Sequence, residues 1–423
     1  MSPEITVPLG IPDVKVLEQE ITENNELIIY VESTQETTPC GVCRCPIKCT
    51  YGKGQEIRLR HLSVLNLKTY ICIRPKRGQC LSCLHDPTTT QIVSWYTQRS
   101  PHTNAFDEHL LKQLINSTIE DVSLKEEVGY DAVQGALNRH IATEINWDEL
   151  KTLGTIGIDE VAMSKGHKNY FAIISTRQPS GKIQILAVLS DRRKAKVKEF
   201  LETIPERLHS TIQYFTTDMW DGYVNAIEEY IAEHDAVKAS LVIDRFHVAQ
   251  NYREDFDDLR KQEFKRLKTE LPKETYESDC QGMLWTLRKN YADLNEDECA
   301  ALRRLFRHSP QLNQAYTFRQ ELTAIFEMKL SVPDAKRRID AWIRKVQSSS
   351  LSTFDGFIKT LQNHYNPILN YFKDRVTSGF VEGLNNKIKV IKRRCYGLRD
   401  SSTLFQRLSL DLLAPRHFSL STT

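Results

Sequence analysis

The sequence lacks any hydrophobic run near the roughly 20 residues that a helix needs to cross a bilayer. It also lacks a basic, apolar leader, since acidic Glu4 and Asp13 stand near its start. It has almost no excess charge, because 57 lysines and arginines nearly balance 55 acids, and the bases are unevenly placed. These absences predict a cytoplasmic protein without membrane contact. A length of 423 residues with 40% hydrophobic content predicts two or three domains.

Cysteine is scarce outside one segment, because seven of the ten cysteines lie between Cys40 and Cys83. A secreted disulfide scaffold would spread them through a small domain. Two CxxC pairs have the spacing that turns four thiolates towards one tetrahedral zinc ion. The pairs are Cys40 with Cys43 and Cys80 with Cys83. The other ligand types in the segment are Cys45, Cys49, Cys72 and His85. A group of buried free thiols is the simpler alternative, but we expect a structural zinc ribbon in residues 1–95.

Residues 96–150 contain two short amphipathic segments on either side of Gly129, which is the pattern of a helix-turn-helix. Their expected core residues are Val122, Val128, Val133, Leu137 and Ile141. This packing would leave Gln134, Asn138 and Arg139 free to contact DNA. A plain helical hairpin fits the same pattern.

The next part of the chain alternates apolar runs with helical segments. The apolar runs are 155–158, 169–176 after a turn at 164–166, 182–189, 211–218 and 239–244, and the helices are 194–204 and 222–232. The chain therefore has the order of elements found in the ribonuclease H-like fold, which is three strands, a helix, a strand, a helix and a strand. In that fold, acids near the central strands and one acid from a later helix hold two divalent metal ions, and carboxylates suit Mg²⁺. Asp159, Asp218 and Asp244 each end a run here, although a carboxylate in that position can also cap a turn.

A later segment predicts a helix that begins after Thr377 or Ser378 and ends at Gly397. Its apolar side would pack inwards through Leu384, Ile388 and Ile391. Its polar side would carry Glu382, Asn385, Asn386, Lys389 and Arg393, with Lys392 among its other bases. This side is either a solvated charged face or one that points a carboxylate at metal ions and lines the approach for DNA.

Between the fifth strand and this helix, residues 255–372 read as helices broken at Pro310, Pro333 and Ser348–Ser350. We expect an all-helical insertion whose tryptophans, Trp285 and Trp342, lie in its core. The insertion would split a catalytic α/β domain into residues 151–254 and 373–411.

Four short sequence motifs are specific enough to indicate a protein family. They are Gly157–Glu160, Thr217–Trp220, Val242–His247 and Gly379–Lys387. Together with the cysteine pairs, they resemble the DDE transposases of bacterial insertion sequences, in particular the ISL-three (ISL3) family. The resemblance covers nearly the whole chain and implies a zinc finger, a helix-turn-helix and a ribonuclease H-like DDE domain split by a helical insertion. It carries the catalytic triad over to Asp159, Asp218 and Glu382. Asp244 and His247 resemble the [Cys/Asp]-x-x-His motif of hAT and Mutator-like transposases.

The resemblance also implies the activity. Two Mg²⁺ or Mn²⁺ ions, bridged by Asp159, would support cleavage at the ends of the element and joining of those ends to target DNA. Double-stranded DNA and further copies of the chain are the implied partners, and the implied location is the bacterial cytoplasm at the nucleoid. The fold analogy favours Asp218 over Asp244 as the second acid. A domesticated DNA-binding regulator that no longer cuts and a ribonuclease H-type nuclease are the alternative functions.

Overall fold

The computed structural model describes residues 8–163, 170–395, 398 and 400–417. The predicted turn at 164–166, residue 169 and the predicted helix end at Gly397 lie outside these residues. Within them, each helix is too short or too polar to cross a membrane. The chain divides into two compact units. The first unit comprises Met1–Thr143, Ile391–Gly397 and Gln406–Thr423, and the second comprises Glu144–Val390 and Leu398–Phe405.

The first unit begins with short strands. They are β1 (Val14–Ile21), β2 (Glu26–Ser33), β3 (Thr37–Pro39), β4 (Pro46–Lys48), β5 (Ile57–Val64), β6 (Leu67–Ile73), β7 (Arg77–Gln79) and β8 (Thr88–Thr90). Four of them form a sheet in the order β1-β2-β6-β5, in which β2 and β6 are parallel and the outer pairs antiparallel. Its core includes Ile29, Leu59, Ile71 and Trp95. The β3–β4 and β7–β8 pairs are separate antiparallel ribbons that carry the two CxxC turns.

Three helices follow, and they are α1 (Asn104–Leu114), α2 (Ile119–Glu126) and α3 (Tyr130–His140). Their shared core contains the predicted Val122, Val133, Leu137 and Ile141, with Val128 partly buried at its margin. Gly129 lies in the turn between α2 and α3, as predicted, and the left-handed residue of that turn is Glu127 (φ 53°). Gly129 has φ −65° and stands before the first turn of α3.

The last described helix completes this helical core. After the second unit, α16 (Ser401–His417) returns. Leu410 joins the core of α1, α2 and α3. The buried guanidinium of Arg407 donates to the carbonyls of Leu114 at 3.1 Å and Ser117 at 2.8 Å. Residues predicted to belong to the catalytic domain thus group with the first unit.

The second unit contains one mixed sheet. Its strands are β9 (Gly154–Ala162), β10 (Tyr170–Arg177), β11 (Ile183–Leu189), β12 (Ile212–Thr216) and β13 (Ser240–Val242). The order is β11-β10-β9-β12-β13. Strand β9 runs antiparallel to β10 and parallel to β12, which is parallel to β13. The sequence of strands and helices along the chain is the predicted one. Strand β9 extends past Asp159 because its pairing with β10 continues to Ala162.

Helices cover this sheet and continue beyond it. They are α4 (Lys194–Leu201), α5 (Glu206–His209), α6 (Asp221–Glu233), α7 (Arg245–Glu270), α8 (Lys273–Asp279), α9 (Leu284–Arg288), α10 (Glu296–His308), α11 (Pro310–Glu327), α12 (Val332–Gln347), α13 (Asp355–Asn363), α14 (Tyr365–Asp374) and α15 (Gly379–Arg394). The region from α7 to α14 is helical, as predicted. Trp342 is buried among aromatic rings, including Tyr252 and Phe357. Trp285 is 69% exposed, so its predicted core position is wrong.

A buried carboxylate organises the helices of the first unit. Asp107 on α1 is fully buried and accepts hydrogen bonds from His102 (2.8 Å), His140 (3.1 Å) and the Nε and Nη2 groups of Arg139 (2.9 and 2.8 Å). Burial alone would raise the pKa of Asp107, but hydrogen bonds from His102, His140 and Arg139 outweigh it and hold the pKa well below its usual range. The guanidinium of Arg139 is thus bonded to Asp107, and its contact with DNA stays a prediction. Sequence could not show this bond, because Asp107 lies on a different helix.

We expect Asp107→Asn to destabilise the first unit by about 3–5 kcal/mol, since it leaves the Arg139 charge facing a neutral amide. Hydrogen exchange of the α1 and α3 amides in the full chain measures this effect. Asp131→Asn is the matched control, because Asp131 is exposed on α3. Equal exchange rates in the two variants would show that the network does not support the fold.

Candidate active site

The parallel strands place acidic residues at one edge of the sheet. Asp159 lies on β9, Asp218 follows the end of β12 by two residues, and Asp244 follows the end of β13 by two. Since the carboxyl ends of parallel strands meet at one edge, these residues converge although other elements separate them in sequence. The prediction of acids at strand ends thus holds for Asp218 and Asp244, while Asp159 lies within its strand.

Helix α15 approaches this edge closely. A Cβ on Gly157 of β9 would lie 2.3 Å from Cγ2 of Val381 and 2.8 Å from the Phe380 ring, so only glycine permits this distance. Leu384 and Ile388 are buried on the inner side of the helix, as predicted. Glu382 and Asn385 of the same helix face the strand ends, where the Asn385 amide donates to Asp159 at 2.6 Å.

A cavity of about 890 Å³ lies between these elements. The predicted residues that line it are Asp159, Asp218, His247, Glu382, Asn385, Asn386 and Lys389. Asp244, Lys392 and Arg393 are not among the lining residues. Asp159, Asp218 and Glu382 all line this cavity. Their carboxylate oxygens do not all lie within 4.8 Å of one another. Among the described residues, the group of cysteine, histidine or acidic ligands with atoms within 4.8 Å of one another is a set of four cysteines in the other unit.

Asp159 is the most constrained acid of the cavity. Its Oδ1 accepts the Glu160 backbone N–H at 2.7 Å, and its Oδ2 accepts the Asn385 amide at 2.6 Å. Burial raises the pKa of Asp159 to about 6, and the nearby charge of Asp218 adds to the rise. An uncompensated negative charge is therefore costly at this position, and a bound cation would relieve that cost.

Asp244 and His247 meet at Ser378, the residue before α15. Oδ1 of Asp244 accepts the Phe246 N–H at 2.7 Å and so caps α7, while Oδ2 accepts the Ser378 N–H at 2.6 Å and its hydroxyl. Nε2 of His247 lies 3.4 Å from the Ser378 hydroxyl. Asp244 is buried and fully engaged, which is the arrangement expected of a residue that joins the starts of two helices.

Two further sets of residues line the cavity and were not predicted from the sequence. Arg192 bonds Glu160 at 2.7 Å, and its guanidinium lies over the rings of Tyr170 and Trp220. Helix α7 adds a polar side to the cavity, formed by Gln250, Asn251 and Glu254. The spacing of these three residues from His247 places them along one helical face, and this pattern could have been found in the sequence. Contacts of Arg192 with distant aromatic residues leave no such pattern.

In the first unit, the two CxxC turns bring their thiols together. The Sγ–Sγ distances are 4.0 Å for Cys40–Cys83, 3.7 Å for Cys43–Cys80 and 3.6 Å for Cys80–Cys83. A tetrahedral zinc ion with Zn–S bonds of about 2.3 Å separates its sulfurs by about 3.8 Å, so the spacing fits zinc. Within the described residues, Cys45, Cys49, Cys72 and His85 lie outside this group.

The thiols of this group have opposite pKa shifts. Backbone N–H groups of Cys43 and Val42 lower the pKa of Cys40 to about 6. The neighbouring sulfurs of Cys43 and Cys80 raise the pKa of Cys83 to about 12. The shift at Cys40 comes mainly from backbone donors, whereas the shift at Cys83 comes from the neighbouring thiols.

On α3, Gln134 and Asn138 hydrogen-bond to each other at 3.0 Å at an exposed position. Their contact with DNA stays a prediction.

Comparisons with known proteins agree on one family. The family model for ISL3-type DDE transposases, described as Transposase, matches residues 156–408. A transposase for insertion sequence element IS1001 from Bordetella parapertussis is 23% identical over 384 residues and covers 90% of each chain. A transposase for insertion sequence element IS1557 from Mycobacterium tuberculosis is 24% identical over 398 residues, covering 89% of this chain and 86% of that one.

Among solved structures, the Drosophila P element transposase strand transfer complex aligns with a TM-score of 0.40 and 12% identity, over 75% of this chain and 93% of that chain. This likeness is too weak to carry an argument. The family match, by contrast, extends over more than half of the chain, from β9 into α16, and includes Asp159, Asp218 and Glu382. The chain therefore belongs to the ISL3 family of DDE transposases.

Proposed function

We propose that the second unit is a ribonuclease H-like DDE domain that cleaves DNA at the ends of an insertion sequence and joins those ends to target DNA. The observation that carries the proposal is the meeting of Asp159, Asp218 and Glu382 around one cavity from three separate parts of the chain. Asp159 and Asp218 lie at neighbouring parallel strands, and Glu382 lies on a helix packed against the first of them.

The cavity has the donor chemistry that Mg²⁺ or Mn²⁺ prefers. Asp159, Asp218 and Glu382 supply hard carboxylate oxygens. The Asn385 amide oxygen is buried at the same place and has no hydrogen-bond partner among the described residues, which is the state of a group that awaits a cation or a donor. When bound, two divalent ions would supply an activated water or DNA 3′-hydroxyl and stabilise the leaving oxygen.

The chain's own residues would position the acids. The Asn385 amide holds one oxygen of Asp159, and this bond fixes the rotation of the carboxylate. Asp244 accepts a hydrogen bond from Ser378, the residue that precedes α15. This bond would fix the position of the first turn of α15, which carries Glu382. Lys389 lies two turns beyond Glu382 on the cavity side, where a phosphate of the bound strand would pass.

Recognition of the element's ends falls to the first unit in this proposal. The four-cysteine group fits a structural zinc ion, and α2 and α3 form a helix pair of the helix-turn-helix type. Both relatives described above are named as transposases of insertion sequence elements. Two ends must be held together for joining, so we propose that the protein acts as a homo-oligomer on double-stranded DNA.

Asp159→Asn, Asp218→Asn and Glu382→Gln should each reduce Mg²⁺-dependent strand cleavage by more than about a hundredfold, because they remove charge from direct ligands while keeping their shape. Binding to end DNA should remain close to the wild-type level. Cleavage of an end-bearing duplex and gel-shift binding measure the two effects. Near-normal cleavage by any variant would remove that residue from the triad.

Asp244→Asn tests the order of the acids. We expect it to lower thermal stability, since Asp244 caps α7 and holds Ser378, whereas Asp218→Asn should leave stability unchanged. An inactive Asp244→Asn beside an active Asp218→Asn would reverse the assignment. Wild-type protein that binds ends but never cuts would indicate the regulator instead.

Freshly purified, reduced protein should contain about one zinc ion per chain, because four thiolates complete one tetrahedral site. Cys80→Ser with Cys83→Ser should lose the zinc and weaken end binding. Cys45→Ser with Cys49→Ser is the control, and it should retain the metal. Elemental analysis of the three proteins is the measurement, and zinc-free wild-type protein would refute the site.

Lys389→Ala should weaken binding to end DNA and random DNA alike and reduce the salt slope of binding by about one unit, because its contact is with backbone phosphate. Lys268→Ala is the matched control, since Lys268 is exposed on α7 and does not line the cavity. Binding to both DNAs across a salt series gives the slopes. A loss confined to end DNA would contradict a phosphate contact.

A further inference from the structure

A second cavity lies in the helical region of the second unit. It has a volume of about 500 Å³ and is formed by α10, α11 and the short 3₁₀ turn at Tyr291–Asp293. This is within the range of about 300–1,000 Å³ that holds small organic ligands. It shares no lining residue with the catalytic cavity. Nothing in the proposed cleavage chemistry uses it.

Aromatic rings form part of its wall. Tyr316 is fixed by its hydroxyl, which donates to the Lys289 carbonyl at 3.0 Å, and by the Arg319 guanidinium, 4.8 Å from its ring centroid. Phe306 packs against Tyr316 with centroids 5.6 Å apart. Tyr291 lies at the mouth and is 53% exposed. A rigid aromatic wall with an accessible ring at its mouth suits a flat aromatic ligand.

Two arginines give the cavity a positive charge. Arg303 and Arg307 are exposed one turn apart on α10 and both line it. Among the described residues, neither guanidinium has an ion pair or hydrogen bond, whereas Arg304 on the same helix pairs with Asp279 at 3.1 Å. Like charges at this spacing repel each other, so an anion bound between them is favoured.

A buried donor is also unused. The Oε1 of Gln320 accepts the Tyr291 N–H at 3.2 Å, and this bond sets the orientation of the amide. Its Nε2 is buried and has no acceptor within the described part of the chain. A ligand with a hydrogen-bond acceptor on a flat ring would satisfy it.

We propose that this cavity binds a nucleotide unit, an aromatic base that carries phosphate. A bare phosphate would leave the aromatic wall and the Gln320 donor unused, and a purely apolar ligand would leave both arginines unneutralised. A nucleotide matches all three features, with its base against the rings and its phosphate at Arg303 and Arg307. The nucleotide is either free or part of a DNA strand that crosses the helical region. The proposal does not depend on the metal site.

The test uses the full chain without divalent metal, so cleavage plays no part in it. The probes are a short single-stranded oligodeoxynucleotide, the same sugar–phosphate strand without bases, and free deoxynucleoside monophosphates. The variants are Arg303→Ala with Arg307→Ala, and Tyr291→Ala. Arg338→Ala with Arg344→Ala is the control, because it removes two exposed charges from α12, outside the cavity.

We expect the Arg303/Arg307 and Tyr291 variants to bind the base-bearing strand or the free nucleotide roughly fivefold to a hundredfold more weakly than wild type, the range for one stacked base. The control pair should weaken both strands equally and less. Saturable binding of the monophosphate, with slower maleimide labelling of Cys299 in the cavity wall, would identify a free nucleotide as the source. Binding of the strand alone would identify DNA. Losses no larger than those of the control pair, on every probe, would overturn the proposal.

Discussion

The close packing of α15 on β9 is the constraint on which the catalytic cavity depends. Gly157 has no side chain, so Val381 and Phe380 can rest against the strand. A methyl group there would push the helix away and carry Glu382 and Asn385 with it. Asn385 could then no longer reach Asp159, whose burial needs that partner. One missing side chain thus sets the distance between two elements that are remote in sequence.

Asp244 also fixes the position of α15. Its carboxylate joins the first turn of α7 to the residue that precedes α15. The long helix that leaves the sheet and the helix that returns to it therefore start from one buried group. This arrangement explains how a helical region of more than a hundred residues can separate β13 from α15 without loosening the cavity.

Local patterns in the sequence predicted a large part of this structure. The alternation of apolar runs and helices predicted the succession of strands and helices along the chain, and the apolar spacing in α15 identified its buried side, because both signals are periodic. Two CxxC pairs sufficed to select four cysteines from seven, since the spacing is a property of the turn. The family resemblance added the assignment of Glu382 as the third acid of the triad.

Features that depend on distant partners were beyond the sequence. Arg139 stands where a recognition helix would present it, yet Asp107 on another helix holds its guanidinium. Trp285 has the composition of a core residue but lies on a short helix with its ring in solvent. Arg192 enters the cavity only through its packing against aromatic rings that are distant in sequence.

The return of α16 has a consequence for synthesis on the ribosome. The carbonyls of Leu114 and Ser117 are among the first parts of the helical core to be made, and Arg407, their partner, follows 293 and 290 residues later. Leu410 completes the same apolar core. The helical part of the first unit is thus fully assembled only after the second unit has been translated. A chain that stops before α16 leaves α1, α2 and α3 without part of the core that packs them together.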